Sequence, residues 1–193
     1  MSKLKNVGGL KAMNHSTRRL VDEHVLICIG LDICDKAASM VMSGSNVPNS
    51  IWENLIDFTK EYTDGFHHAK EEGVLFPLLC QRGLSLEYGP IAVMLHDHET
   101  FRRLLGQMNE GLEENNMAKV IAAYNEYSSS LRMHIHKENN ILYPMGESMI
   151  SREDEENLNS IYDETEMSLG GEKTSSKYHN MILSMREVVD SIE

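Results

Sequence analysis

One motif occurs twice in this chain, and it restricts the fold more than any other feature. Lys70-Glu71-Glu72-Gly73-Val74-Leu75-Phe76-Pro77 aligns with Lys137-Glu138-Asn139-Asn140-Ile141-Leu142-Tyr143-Pro144. In that register His67 matches His134, each ten residues ahead of its proline, and both copies read H-x-x-x-E-x-x-x-x-[FY]-P. A histidine and a glutamate four apart sit one turn apart on one helix face, so both side chains reach a single point. The pair His68 and Glu72 has the same spacing but falls outside the register.

The surrounding pattern is helical throughout. Leu20, Val21, His24, Ile27, Cys28 and Leu31 repeat at amphipathic-helix spacing, which predicts a first helix over Ser16–Met42. Gly44, Asn46 and Pro48 mark a loop. A second helix is expected from Ser50, an N-cap with Glu53 three residues on, to about Leu79. Gly83, Gly89 and Pro90 separate it from a third, about Ile91 to Asn115, and a fourth runs over Asn116–Tyr143, stopped at Pro144 and Gly146. No stretch alternates as a strand does. The expectation is an all-α fold: an antiparallel four-helix bundle over residues 11–149 with a short helical C-terminal extension over 150–193. In the extension, Ser151 and Asp154 form a capping box and Gly170-Gly171 breaks the run.

Two inward H-x-x-x-E pairs on facing helices form the arrangement that di-iron carboxylate bundles use. The first helix adds His24 on its apolar stripe, and the third adds His98 among Met94, Leu95, Phe101 and Leu105. A lone His–Glu pair is more often a surface pair, and His24 or His98 alone would read as a core histidine. The conjunction of one inward histidine on each of four helices favours metal. Imidazole nitrogen with carboxylate oxygen suits iron, manganese or zinc, while the absence of paired cysteines argues against thiolate or cluster chemistry. His96 and His136 lie two residues from the proposed ligands and should face solvent. His15 and His179 fall outside the motifs, and His68 reads as a supporting or minor ligand. The thirteen methionines read as core filler in a core rich in Met and Leu, since aromatic content is only 6%.

Composition narrows the partners. A net charge of −12 repels phosphate, which excludes nucleic acid and anionic membrane surfaces. No apolar run approaches the roughly 20 residues of a membrane span. The N-terminal stretch has no apolar core of a secretory signal. Three cysteines, an odd number without C-x-x-C spacing, point to a reducing compartment, the cytoplasm.

His24, then HHAKEEGVLFP (His67–Pro77), MLHDHETFR (Met94–Arg102) and HIHKENNILYP (His134–Pro144), resembles the hemerythrin-like, HHE cation-binding family over roughly Lys11–Met149. Within it the chain is most similar to the di-iron domain of proteins that repair iron–sulfur centres, whose small N-terminal domain with a cysteine pair it lacks. The resemblance implies His24, His67, Glu71, His98, His134 and Glu138 as ligands to two iron ions. Glu71 and Glu138 would bridge them, together with an oxo or hydroxo group. Oxygen-carrying hemerythrins place a second histidine four residues after the one on the third helix; here that position is Arg102. Their fourth helix carries an H-x-x-x-x-D pair, where this chain has His134 and Glu138 at four apart. One imidazole fewer argues for reactive or sensory use of O2, NO or peroxide over simple storage. The alternatives are an iron- or oxygen-sensing module, and oxygen or iron storage without catalysis. The C-terminal helices offer a surface for a homodimer or a protein partner.

Overall fold

A computed structural model describes residues 15–192 of the chain; the N-terminal stretch up to residue 14 lies outside it. Among the described residues there are helices and no strands. α1 (His15–Met42) is followed by α2 (Asn49–Phe58), which continues through π-helical segments at Thr59–His68 and Glu71–Leu75 into α3 (Phe76–Gln81). These pieces form one long second bundle helix. The third is α4 (Pro90–Glu113). The fourth joins α5 (Met117–Lys137), a π segment at Glu138–Leu142 and α6 (Tyr143–Met149). α7 (Arg152–Ser168) and α8 (Glu172–Asp190) make up the extension.

Two buried apolar clusters give the direction of each bundle helix. One gathers Ile27, Leu31, Trp52, Leu55, Phe101, Leu104, Tyr124 and Leu131. The other gathers Leu20, Leu75, Phe76, Ile91, Met94, Leu142 and Tyr143. Each of the four bundle helices therefore starts in one cluster and ends in the other, and consecutive helices run in opposite directions. This is the antiparallel bundle of amphipathic helices that the periodicity predicts.

Several local expectations are corrected. Ser50 is not the N-cap: the second helix opens at Asn49 behind Pro48, with no side-chain cap. Pro144 and Gly146 do not stop the fourth helix, which runs on to Met149. A proline lacks an N–H and crowds the preceding turn. Pro77 and Pro144 each stand two residues after the end of a π segment, where the widened turn gives the ring room. The core is also aromatic rather than methionine-based. Six of the seven tyrosines, all four phenylalanines and the tryptophan are buried, whereas Met42, Met133 and Met167 are exposed.

The extension packs onto the bundle. Leu158 and Tyr162 of α7 join the second cluster, and Tyr178, Ile182, Met185 and Val189 of α8 join the first. α8 approaches α1 closely at Gly30, where a Cβ would sit 3.1 Å from Ile182 Cδ1. Ser151 and Asp154 do form the capping box, and α7 ends at a Gly170-Gly171 break with φ of +96° and +56°. No helix of the described residues is long and apolar enough to cross a membrane.

Candidate metal centre

Between the two apolar clusters lies a polar layer, one turn or so deep. His24 sits between Leu20 and Ile27, His98 between Met94 and Phe101, and the two H-x-x-x-E pairs span the same level on the second and fourth helices. His24, His67, Glu71, His98, His134 and Glu138 are all buried, four of them at 0% exposure. All six sequence-predicted residues thus meet at one place. His96 and His136 face solvent as expected, and His179 is exposed too. No side-chain placement is described for His15.

Each imidazole is oriented through Nδ1. Carboxylates accept from three of them: Glu23 from His67 at 2.8 Å, Glu72 from His98 at 2.7 Å and Asp97 from His134 at 3.1 Å. His24 Nδ1 meets the amide oxygen of Asn139 at 2.9 Å. With the proton on Nδ1, a neutral ring presents a lone pair at Nε2. The Nε2 atoms face each other in pairs, His24 with His67 at 2.9 Å and His98 with His134 at 3.1 Å. Two lone pairs aimed at each other repel unless a cation lies between them. Nitrogen ligands about 2.1 Å from an ion at right angles to one another are themselves about 3 Å apart, so the pairs have metal-ligand spacing.

The carboxylates complete the test. Glu71 Oε2 and both oxygens of Glu138 are buried without a hydrogen-bond partner, a costly state in the absence of an ion. Glu138 Oε2 lies 3.2 Å from His24 Nε2, and Oε1 lies 3.0 Å from His134 Nε2, so this glutamate spans both imidazole pairs. Glu71 Oε2 is 3.8 Å from His67 Nε2 and 3.5 Å from His98 Nε2, while Tyr143 donates to Oε1 at 2.6 Å. Two donor groups result: His24, His67 and Glu138 in one, and His68, Glu71, His98 and His134 in the other. Each hairpin lends its glutamate to the other hairpin's histidines. The donor set fits two ions.

Without an ion the charges settle unequally. Burial, reinforced by Glu138, pushes the Glu71 carboxyl well up. Burial also acts to raise Glu138, but His134 and His24 pull it well below the usual range. His134 is lowered by burial yet carried up to about 9 by Glu138 and Asp97. Burial and neighbouring imidazoles hold His67 and His68 well below an ordinary histidine, in the neutral form that a metal ligand requires.

The supporting residues were not singled out from the sequence. Lys70, fully buried, pairs with Glu23 and lies 2.7 Å from Glu166 of α7; Lys137 pairs with Asp97. A signal was available, because Glu23-His24 and Asp97-His98 repeat an acid–histidine pair, and Lys70 and Lys137 occupy matched places in the doubled motif.

Fold and site together define a class: an all-α bundle with a histidine–carboxylate metal centre buried across its middle. The sequence profile described as the hemerythrin HHE cation-binding domain matches residues 15–146, and the chain belongs to that family. It is similar to the iron-sulfur cluster repair protein YtfE of Pectobacterium carotovorum subsp. carotovorum (strain PC1), 33% identical over 86 residues, which are 40% of this chain and 39% of that protein. It is also similar to the iron-sulfur cluster repair protein YtfE of Yersinia pestis (strain Pestoides F), 32% identical over 106 residues, or 50% of this chain and 47% of that one. The chain spans less than half the length of these curated relatives. No solved structure matches it.

Proposed function

We propose that this chain is a cytoplasmic non-haem di-iron protein that binds or reacts with O2, NO or peroxide, in oxidative or nitrosative stress response or iron–sulfur repair. His24, His67, Glu71, His98, His134 and Glu138 would hold the two ions, each glutamate lying between the two imidazole pairs. The observation that carries this reading is the facing of four oriented Nε2 atoms in two pairs, with two glutamates that each reach both pairs. When bound, iron supplies reversible one-electron chemistry and affinity for diatomic ligands.

The chain's own residues set the conditions. The Nδ1 acceptors fix ring orientation and raise ligand basicity. Tyr143 holds Glu71 through its hydroxyl and stacks at 5.8 Å on His24. Apolar layers above and below exclude bulk water from the polar level.

A sensory role is the second reading, and one contact favours it. Lys70 joins Glu166 of the extension to Glu23, which orients His67, so a continuous chain of polar contacts links the centre to α7. Metal analysis of anaerobically purified protein should give close to two irons per chain; one metal, or zinc without iron, overturns the dinuclear reading. Stopped-flow spectra with NO, O2 and peroxide then separate the roles. Turnover supports an enzyme, and a reversible spectral change supports a binder or sensor. Inertness to all three overturns the small-ligand function.

A further inference from the structure

The helical hairpin 15–81 and the stretch 90–149 correspond position by position around the centre. One cluster departs from that correspondence. His68 matches Ile135 in the doubled motif; Asp64, four residues before it, matches Leu131; and Arg102, four after His98, matches Cys28, four after His24. Ile135 and Leu131 are buried core residues with Cys28 packed against them. Their counterparts replace this apolar trio with an acid, an imidazole and a guanidinium. Of the three only His68 is fully buried, Asp64 and Arg102 being partly in solvent, and a buried imidazole with an unpartnered nitrogen costs stability unless that nitrogen has work to do.

The geometry shows what the work is. His68 is 2% exposed and lies parallel to the ring of His98, with centroids 3.7 Å apart. Asp64 Oδ1 accepts from its Nδ1 at 3.2 Å, and its Nε2 has no hydrogen-bond partner. The ring offers a nitrogen within 4.8 Å of ligand atoms on Glu71, His98 and His134. Arg102 lies 2.7 Å from Asp64 and 2.7 Å from Glu72, the two carboxylates that orient His68 and His98. One guanidinium therefore fixes two imidazoles.

We infer that His68 is a fifth imidazole ligand, with Arg102 as its positioning residue, so that the two metal positions are unequal. The position of His98, His134 and Glu71 receives three imidazoles, and that of His24 and His67 receives two. The inference rests on the dinuclear reading above. The second helix delivers this imidazole at the site where the third helix carries Arg102.

The test compares the full chain with His68→Ile, the side chain that already packs at the matched position 135, after loading both with iron-57. The wild type should show two unlike iron environments by Mössbauer spectroscopy. In His68→Ile the environments should converge, and one iron should pass to a competing chelator about tenfold faster or more. Arg102→Gln leaves every ligand in place and should speed release of the same iron by a smaller factor. It decides the matter if His68→Ile does not fold. Unchanged spectra and release rates in both variants would overturn the assignment. A wild type that loads one iron overturns the dinuclear reading instead; the His68 assignment then stands if His68→Ile releases that iron and falls if it does not.

Discussion

The two halves of the bundle carry nearly the same residues and hold them in unlike electrical states. Glu23-His24 matches Asp97-His98, His67 matches His134, Lys70 matches Lys137 and Glu71 matches Glu138. In both halves a lysine steadies the carboxylate that orients the motif histidine. The halves differ where Tyr143 stands opposite Phe76, since only the tyrosine can donate to the glutamate across the bundle. They differ again where Glu72 stands opposite Asn139. Apart from these two differences, His134 and His24 hold Glu138 as an anion, while burial and that same anion favour a proton on Glu71 even though the Tyr143 hydroxyl acts the other way. Symmetry of ligands does not bring symmetry of charge.

The largest effect that could break this comparison is expected at the glutamates. Glu138→Ala removes the oxygens nearest both imidazole pairs and should reduce iron from about two per chain to near none. His67→Ala should remove one ion only. Retention of both irons by Glu138→Ala, measured by metal assay, would end the case for a shared bridge.

Next in size is removal of metal from the whole protein. A ligand present at 1,000 times its Kd stabilises the folded state by about 4 kcal/mol, so the apo-protein should melt well below the loaded form. The loosening should be confined to the polar layer. Hydrogen exchange should lose protection over residues 17–24, whereas the aromatic half around Trp52, Phe58, Tyr124 and Tyr127 should keep it. Equal protection of α1 in both states would show that metal and fold are uncoupled.

Tyr143→Phe sharpens the comparison by giving Glu71 the neighbour that Glu138 already has. The lost bond is worth about 1 kcal/mol, read in a thermal melt, with iron content retained and the absorption spectrum shifted. The smallest effect lies far from the centre. Burial acts to raise Asp35, but hydrogen bonds from Tyr124, Arg132 and Ser128 leave its carboxyl lowered. Its contribution is complete above the unfolded value of about 3.9 and is lost as pH falls through the lower folded value. Asp35→Asn should therefore flatten the acid limb of the stability curve, as denaturation at stepped pH would show.

Much of this was legible because helices announce themselves by period, and because a doubled motif fixes its own register. That register singled out His67, Glu71, His134 and Glu138, the apolar stripes of the other two helices added His24 and His98, and the six side chains do meet in one buried layer. What escaped was set by tertiary contact. Pro48 took the place of Ser50 at a helix start, since the cap is decided by the incoming loop. Pro144 failed to end its helix because a π turn precedes it, and such a turn has no signature in a 3.6-residue count. Composition misled about the core, for a small number of aromatic residues nearly all went inside. His68 stands outside the doubled motif because it matches Ile135, and its contact with Asp64, a turn earlier, is visible only in the fold.

The exchange of glutamates between hairpins has a bearing on how the chain assembles. Neither hairpin holds every donor of either group, so neither can capture an ion tightly before the other arrives. Capture must then be a late event in folding, after contacts between residues far apart in sequence have formed, and it cannot serve as an early nucleus. Iron binding by this protein would report on completed docking, much as a clasp closes only when both ends of a strap have met.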